Sequence, residues 1–318
     1  MAREMERLEE SLSQLNASVG MLGSRVRAEE ASVAADVAAG ERLEDARRSV
    51  SAAVLGLCRE DADASDEAAS VPPEMADELE GALRASGVGW TDGFLGAEAA
   101  RSVRREILDF DAETAFEPGE LAGGRGGGDE RFVREAVRAD RCCFQAALPP
   151  ALDALVARCD ALVASLAERG LDCVPTDRLR HRGDPQLAVY EPVCAGYATH
   201  VDNPNRNGRR LTAVYYANEA CSGGELACFR ADGSRVVSLA PQNDRLVLFA
   251  SERILHEVKP TVGGSPRVAA TVWYCDYDET LEAAAASPRR EDGPRAGARA
   301  AMAAVTARRR EARRGGPA

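Results

Sequence analysis

Several patterns that would place the protein outside the cell or in a membrane are missing from its sequence. The nine cysteines are odd in number and scattered, with no C-x-x-C pair, so they predict neither a disulfide framework nor a zinc finger. The N-terminus is charged and lacks the apolar segment of a signal peptide. No apolar run approaches the roughly 18 residues that a transmembrane helix needs. We therefore expect a protein of the cytoplasm or nucleus without a membrane partner.

Positive charge is also in deficit, since the formal net charge is -12 over 318 residues. A polyanionic surface repels phosphate, which argues against nucleic-acid binding by the protein as a whole. The exception is the basic, Ala/Arg-rich segment 281–318, which we expect to be disordered or a frayed helix. A solvated tail is the favoured interpretation of this segment, and contact with a polyanion or a nuclear import signal is the alternative.

Composition divides the chain into four parts. We predict a helical extension at 1–58 and an acidic linker at 59–73. The main domain is predicted at 74–280, with its core at 186–278, and the tail at 281–318. A heptad stripe of apolar residues runs along the first part: Met5, Leu8, Leu12, Leu15, Val19, Leu22 and Val26. The stripe suits a single amphipathic helix lying on the main domain or a coiled coil that forms a homodimer. Gly20 and Gly23 weaken the helix and count against the coiled coil.

The main domain changes from helical to strand periodicity along its length. Helices are predicted at 74–85, 97–110 and 151–170, with a strand and turn at 87–96 between the first two. Eight short strands are predicted at 186–190, 198–200, 210–216, 225–229, 236–239, 245–249, 257–260 and 267–274. Helices followed by many short strands predict an α+β protein whose sheet curls into a double-stranded roll.

Two polar stretches are predicted to be loops. The run from Gly123 to Gly128 lacks the Gly-Lys-Ser/Thr ending of a phosphate-binding loop. We predict a flexible surface loop there, which would be a mobile lid if it lay near an active site. His181 lies between two arginines in a polar loop predicted over 176–185, and a solvated side chain is favoured there over a metal ligand.

The candidate chemistry centres on His200, Asp202 and His256, which include two of the three histidines of the chain. A His-x-Asp pair at the end of a strand directs both side chains to one side, and a histidine from a later strand can complete three ligands. Two imidazoles and one carboxylate are the ligands of a facial Fe(II) site. A zinc site with the same ligands, or histidines with purely structural roles, are the alternatives.

Arg267 follows His256 by eleven residues and adds a cation to this site. A divalent metal with one carboxylate ligand keeps a net positive charge, which favours an anionic chelator such as a 2-oxo acid. If that acid is 2-oxoglutarate, its second carboxylate needs a buried partner, and the planar fork of arginine suits that role. Tyr216, on the strand after the His-x-Asp turn, could donate its hydroxyl to the same carboxylate. A zinc hydrolase would have no need of such an arginine.

These residues belong to a longer set that resembles a known family. The segments are His200-Val-Asp-Asn-Pro-Asn205, Gly208-Arg209, Tyr215-Tyr-Ala-Asn218, Gly223-Gly224, Asp244-Arg-Leu246, His256-Glu-Val258 with Pro260, and Arg267 through Thr271-Val-Trp-Tyr274. They resemble the prolyl 4-hydroxylase family, and within it the oxygen-sensing branch that hydroxylates hypoxia-inducible factor. The resemblance covers about 87–278. It implies a double-stranded β-helix (jelly-roll) fold, Fe(II), 2-oxoglutarate and O2 as cosubstrates, and ascorbate to support turnover.

The resemblance also implies roles for individual side chains. His200, Asp202 and His256 would hold iron, and Arg267 and Tyr216 would bind the distal carboxylate of 2-oxoglutarate. The remaining implied roles belong to four residues: Tyr190 and Tyr197 would line the cosubstrate pocket, Trp273 would pack beneath it, and Arg209 would lie near the substrate peptide.

The implied activity is hydroxylation of a proline in a protein substrate, with release of succinate and CO2 and with oxygen sensing as a candidate role. A related oxygenase acting on another residue, a small molecule or a nucleobase is the first alternative. A catalytically silent scaffold is the second. The sequence departs from the family in two places: the interval from His256 to Arg267 is two residues longer than in the animal oxygen sensors, and 131–141 lacks their aromatic strand pattern. The identity of the substrate protein stays open for that reason.

Overall fold

The computed structural model describes residues 70–280 except 115, 123–130, 146, 175–178, 205 and 277–278. The predicted helical extension at 1–58, most of the linker and the tail at 281–318 lie outside the described residues. The run from Gly123 to Gly128 also lies outside them, between two short strands that pair with each other. In the described part of the chain, no helix combines the length and apolar composition needed to span a bilayer.

Three helices form where the hydrophobic spacing predicts them: α1 at Pro73–Ser86, α2 at Ala97–Thr114 and α3 at Pro150–Arg169. Helix α1 ends at Gly87, whose φ of 77° is the left-handed conformation that glycine tolerates best. Helix α3 begins against α2, because Glu106 of α2 accepts hydrogen bonds from the backbone N–H groups of Ala151 and Leu152. A carboxylate there compensates the positive end of the α3 dipole and fixes the two helices to each other.

The strands are numbered in chain order within the described residues. They are β1 Val88–Asp92, β2 Glu117–Pro118, β3 Glu120–Ala122, β4 Arg131–Val133, β5 Asp140–Phe144, β6 Leu179–Arg182, β7 Gln186–Tyr190, β8 Val193–Cys194, β9 Tyr197–His200, β10 Arg209–Tyr216, β11 Cys221–Gly223, β12 Leu226–Phe229, β13 Arg235–Leu239, β14 Arg245–Ala250, β15 Leu255–Val258, β16 Thr261–Gly264 and β17 Arg267–Asp276.

The strands form antiparallel sheets. The largest has eight strands in the order β1-β14-β10-β17-β7-β5-β2, with β6 beside β17. A four-stranded sheet has the order β13-β12-β15-β9, and a three-stranded sheet has the order β11-β16-β8. Strands β3 and β4 pair as a separate hairpin. Mostly antiparallel sheets with few helices are consistent with the jelly-roll core that the sequence predicts.

Strand β17 contributes to two surfaces at once. Val268, Ala270, Val272 and Tyr274 belong to the main hydrophobic core, and the Tyr274 hydroxyl donates to Asp160 of α3. Positions 267, 269, 271 and 273 line a cavity on the other face. Because side chains alternate between the two faces of a strand, the same ten residues supply both packing and cavity wall.

Some predicted elements differ from the structure. The polar loop predicted at 176–185 is wrong for Leu179–Arg182, which forms β6 and pairs with the end of β17. Arginines conceal this strand in the sequence, because Arg182 forms an ion pair with Asp160 (2.9 Å) where an apolar side chain would be expected. The strand predicted at 257–260 lies two residues earlier. Strands β8, β11 and β16 are not predicted, since two to four residues are too few to show a periodicity.

Candidate active site

A cavity of about 360 Å³ opens between the eight-stranded and four-stranded sheets. Alternate side chains of β7, β10 and β17 form one wall, and β9, β12 and β15 contribute to the other. The sheet register decides which side chains meet there. Strands β9 and β15 are neighbours, and His200 at the end of β9 is paired directly with His256 on β15.

The three predicted metal ligands converge at one end of this cavity. Asp202 Oδ1 lies 3.6 Å from His200 Nε2 and 3.5 Å from His256 Nε2. One donor atom from each residue lies within 4.8 Å of the others. The backbone N–H of Asp202 donates to the Ser251 carbonyl (3.1 Å), which fixes the chain just beyond β9. A single ion can therefore be reached by two nitrogens and one oxygen.

Hydrogen bonds to backbone carbonyls orient both imidazoles. His200 Nδ1 lies 2.8 Å from the Ala198 carbonyl oxygen, and His256 Nδ1 lies 3.2 Å from the Ile254 carbonyl oxygen. A carbonyl can only accept, so we assign the proton of each neutral ring to Nδ1. The Nε2 lone pair of each ring is then directed to the shared position, as a metal ligand requires.

Asp202 is held through one of its two oxygens. Its Oδ2 accepts hydrogen bonds from Thr212 Oγ1 (2.7 Å) and Trp273 Nε1 (2.9 Å). The Thr212 hydroxyl also lies 2.8 Å from Ser251 Oγ, so Ser251 can donate to it while it donates to the carboxylate. Because Oδ2 is engaged twice, Oδ1 is the oxygen available to a metal.

Burial and neighbouring charges set the protonation states of His256 and Asp202. Burial lowers the pKa of His256 to about 4, and the charge of Asp202 opposes this shift only in part. The imidazole is therefore neutral at physiological pH, as metal binding requires. Burial acts to raise the pKa of Asp202, but interaction with His256 and His200 outweighs it and holds the pKa well below its usual range. Two imidazoles and one carboxylate fit ferrous ion.

Arg267 lies elsewhere in the same cavity and is only 2% exposed. Its Nε donates to the Gly224 carbonyl (2.9 Å) and its Nη2 donates to the Tyr216 hydroxyl (3.2 Å). The guanidinium lies 4.9 Å from the ring centres of Tyr190 and Tyr216. Within the described ranges no carboxylate forms an ion pair with it. A buried cation held only by neutral groups and aromatic rings is prepared for an anionic ligand.

Gly224 is required for this arrangement. Its φ of 70° lies in the left-handed region, and a Cβ at this position would lie 2.8 Å from Arg267 Cδ. A side chain would therefore displace the arginine as well as strain the backbone. In the sequence, Gly224 is noted only within the set of segments that resembles a known family, because its close approach to Arg267 depends on the folded sheet.

The other predicted residues line the same cavity. The ring of Tyr197 stacks on the His200 imidazole with centroids 3.8 Å apart. The Arg209 guanidinium lies 3.9 Å from the centre of the Trp273 ring. The structure thus brings all of the predicted site residues together: His200, Asp202, His256, Arg267, Tyr216, Tyr190, Tyr197, Trp273 and Arg209.

Three further residues at the cavity were missed by the sequence analysis. Arg138 and Asp140 form a two-pronged ion pair (2.7 and 2.8 Å), and the Arg138 guanidinium lies 4.9 Å from the Tyr197 ring centre. The segment around them shows no strand pattern in the sequence, so only the tertiary structure finds them. Thr212 could have been found, because it shares a strand face with Tyr216 four residues later.

The comparisons with known proteins agree with this geometry. Residues 185–275 match the family described as the 2OG-Fe(II) oxygenase superfamily. Mouse "Prolyl hydroxylase EGLN3" is 32% identical over 209 residues, which cover 63% of this chain and 83% of that protein. Human "Egl nine homolog 1" is 29% identical over 207 residues, which cover 62% of this chain and 46% of that protein.

Two solved structures share the fold at 27% sequence identity each. One is a Trichoplax adhaerens prolyl hydroxylase in complex with a hypoxia inducible factor oxygen degradation domain peptide fragment. It has a TM-score of 0.53, and the match covers 66% of this chain and 92% of that one. The other is a Pseudomonas putida prolyl-4-hydroxylase with a TM-score of 0.51, for which the shares are 63% and 98%.

Proposed function

We propose that this chain, which belongs to the prolyl hydroxylase family of Fe(II)- and 2-oxoglutarate-dependent oxygenases, hydroxylates a proline residue within a polypeptide. The observation that carries the proposal is the combination of two charged sites in one cavity. His200, Asp202 and His256 would hold Fe(II), and Arg267 presents a buried positive charge without an acidic partner among the described residues. A dicarboxylate that also chelates a metal matches both sites.

Arg267 and Tyr216 would bind the distal carboxylate of 2-oxoglutarate. The guanidinium offers two N–H donors in the plane that a carboxylate prefers, and the Tyr216 hydroxyl can turn to donate a third hydrogen bond. The rings of Tyr190 and Tyr216 flank the guanidinium and keep bulk water away from it. Folding has already removed water from the Arg267 guanidinium. A bound carboxylate is therefore attracted to it through a medium of low dielectric constant, in which the attraction is stronger than in water.

When bound, Fe(II) supplies the activation of O2 that couples oxidation of 2-oxoglutarate, to succinate and CO2, with hydroxylation of the substrate. The protein contributes orientation. The bonds from Nδ1 of both imidazoles to backbone carbonyls and the two hydrogen bonds at Asp202 Oδ2 fix the donors in place. The side chains of Val214 and Ala269 form an apolar part of the cavity wall that helps to exclude water from the reaction.

The substrate would enter near Arg209 and Arg138, which both line the cavity. Arg138 is neutralised by Asp140, whereas Arg209 is stacked on Trp273. The resemblance places Arg209 near the substrate peptide, and its position in the structure supports that role. The substrate protein is proposed only by class, as a polypeptide containing proline; the Trichoplax relative bound to a hypoxia inducible factor peptide supports that class.

A peptide screen tests the proposal. The protein is loaded with Fe(II) and incubated with 2-oxoglutarate, ascorbate and a library of proline-containing peptides, and the peptides are analysed by tandem mass spectrometry. We expect the mass of one oxygen atom to be added at proline, and to be lost when proline is replaced by alanine. Succinate formation that no peptide stimulates would instead favour a small-molecule oxygenase. No turnover by protein with bound metal would favour a silent scaffold.

Several finer features are proposed from the sequence. Ascorbate dependence, O2 sensing and a cytoplasmic or nuclear location rest on the family resemblance and on the composition of the sequence. A homodimer through the heptad stripe of residues 5–26, and a polyanion contact through the tail at 281–318, rest on sequence pattern alone. The domain limits at 74 and 280 rest on the composition of the sequence.

A further inference from the structure

A second charged cluster adjoins the loop that follows Asp202. We call it the Arg210 clasp and define it as Asn203, Arg210, Glu252, Asp276 and Glu279. Its members come from four places in the chain: the loop after β9, strand β10, the turn between β14 and β15, and the end of β17 with the residues beyond it. None of them lines the cavity, so the proposed reaction makes no direct use of them.

Arg210 is the centre of the clasp. Its Nη1 lies 2.5 Å from Glu252 Oε2, and its Nη2 lies 3.2 Å from Asp276 Oδ2 and 3.1 Å from Glu279 Oε2. Its side chain is 11% exposed, and the Asp276 side chain is 1% exposed. One guanidinium therefore forms ion pairs with three carboxylates that converge from separate elements. These pairs are screened by water less than a surface pair would be.

Asn203 connects the clasp to the metal site, because it directly follows Asp202. Its Nδ2 donates to Glu252 Oε1 (3.0 Å) and lies 3.5 Å from Glu279 Oε2. Its Oδ1 accepts the backbone N–H of Asn207 (2.6 Å), which closes the loop on itself. The Asn203 side chain thus joins the residue after Asp202 to Glu252 on one side and to the backbone of Asn207 on the other.

The backbone around Ser251 links the clasp to the metal ligands. The Ser251 N–H donates to the Arg210 carbonyl (3.0 Å), and the Ser251 carbonyl accepts the N–H of Asp202 (3.1 Å). Glu252 of the clasp is the next residue, and His256 follows four residues later. Arg210 also directly follows Arg209, and neighbouring residues of a strand point to opposite faces. The clasp therefore fixes the segment that carries Asp202, the segment that carries His256, and Arg209 at the cavity.

We propose that Arg210 is a positioning residue for the metal site, acting through Asn203 and Glu252 to set where Asp202 lies relative to His256. Without the guanidinium, three carboxylates would face one another at close range, and their repulsion would move the loop and the turn apart. The Arg267 end of the cavity makes no contact with the clasp, so its affinity for a carboxylate would be preserved. The inference rests on the proposed function only for the identity of the metal site.

The test measures metal and cosubstrate binding separately, without turnover. Co(II) is titrated into the 318-residue protein and followed by its visible d–d absorption, and 2-oxoglutarate is then titrated by calorimetry at saturating Co(II). For Arg210→Met we expect Co(II) affinity to fall by about 10-fold to 100-fold, the range typical of outer-sphere partners. We expect 2-oxoglutarate affinity to stay within about twofold of wild type. Arg230→Met, at an exposed turn between β12 and β13, is the matched control with unchanged binding.

Charge rescue separates positioning from general support of the fold. We expect Arg210→Met combined with Glu279→Gln to recover part of the lost Co(II) affinity, because one of the three carboxylates is removed; the exposed Arg206, 3.5 Å from Glu279, compensates that carboxylate only in part. Arg210→Lys keeps the charge but cannot contact all three carboxylates. Its Co(II) affinity should therefore lie between those of Arg210→Met and the wild type. If Arg210→Met fails to fold, Glu279→Gln alone should still lower the affinity for Co(II) and leave the affinity for 2-oxoglutarate unchanged.

Two results would overturn the proposal: wild-type Co(II) affinity in Arg210→Met, or equal losses of Co(II) and 2-oxoglutarate affinity in the folded variants. Neither result depends on the substrate. If the wild-type protein binds Co(II) and 2-oxoglutarate but hydroxylates no peptide, the proposed function fails while the role of Arg210 stands.

Discussion

The two binding regions of the cavity hold charge in opposite ways. At the metal region an anion, Asp202, is held by neutral donors, namely the hydroxyl of Thr212 and the indole N–H of Trp273. At the other region a cation, Arg267, is held by neutral acceptors, the Gly224 carbonyl and the Tyr216 hydroxyl. Each buried charge is oriented by the protein, and its partner among the proposed ligands carries the opposite charge.

This difference explains why the site suits a dicarboxylate cosubstrate together with a metal. A metal alone would satisfy Asp202 and leave Arg267 buried without a counter-charge, which is costly. A carboxylate alone would satisfy Arg267 and leave the histidines without a ligand. A metal together with a dicarboxylate that chelates it supplies the opposite charge at both regions. The two regions should therefore respond differently to mutation, and the following experiments test how independent they are.

The largest effect is expected at the metal region. Asp202→Asn keeps the shape of the side chain but removes its charge, so we expect Fe(II) affinity and turnover to fall by more than about 100-fold, beyond the range for outer-sphere residues. Asp232→Asn, at the exposed turn between β12 and β13, is the matched control and should behave as wild type. Wild-type turnover in Asp202→Asn would remove the iron assignment.

The next effect is expected at the arginine region. Arg267→Met should raise the KM for 2-oxoglutarate by about 100-fold, since losing one partner of a buried charge pair costs roughly 2–5 kcal/mol. The KM of Arg267→Lys should lie between those of the wild type and Arg267→Met, because lysine keeps the charge but not the two-pronged geometry. Co(II) affinity without 2-oxoglutarate should be unchanged in both variants. A parallel loss of Co(II) affinity would show that the two regions are not independent.

Thr212 tests the metal region through a residue that supports Asp202 but is not itself a proposed metal ligand. Thr212→Val is nearly isosteric but removes the hydroxyl that donates to Asp202 Oδ2. We expect Co(II) affinity to fall by about 10-fold, with a smaller change in 2-oxoglutarate affinity at saturating metal. Thr212→Ser keeps the hydroxyl and is the control. Equal losses in the Val and Ser variants would mean that packing of the methyl group, and not the hydrogen bond, is responsible.

An effect of similar size is expected for Tyr216→Phe. A hydrogen bond from a hydroxyl to a charged carboxylate is worth about 1.5 kcal/mol at the low end, so the KM for 2-oxoglutarate should rise by about 10-fold with little change in metal affinity. Tyr274→Phe is the matched control. It removes a buried hydroxyl that bonds Asp160 on the core face, so it should lower thermal stability and leave the KM unchanged. An unchanged KM in Tyr216→Phe would leave Arg267 as the sole contact to the distal carboxylate.

Sequence reasoning found the site because its residues lie on long, regular strands. Strand β7 is predicted with the observed limits, and β10 and β17 differ from their predictions by one or two residues. Alternation along these strands then assigns side chains to faces. His200 and His256 are recognisable because histidine is rare in this chain and because of their fixed relation to Asp202 and Arg267.

What the sequence could not show depends on contacts between distant residues. The pairing of Arg138 with Asp140 lies in a segment whose strands carry charged side chains, so no periodicity marks it. The clearance between Gly224 and Arg267 exists only once β17 lies beside the turn. The convergence of Glu252, Asp276 and Glu279 on Arg210 joins residues up to 69 positions apart in the chain, counting from 279 back to 210.

The double use of strand β17 limits how this protein can change in evolution. Inserting or deleting a single residue within the strand would exchange its two faces, sending Arg267 or Trp273 towards the helices and Val268 or Tyr274 into the cavity. Point substitutions avoid that exchange, so side chains of the strand can change while its length stays fixed. Changes in length are tolerated better in the connecting hairpins, which can lengthen or shorten without inverting a strand.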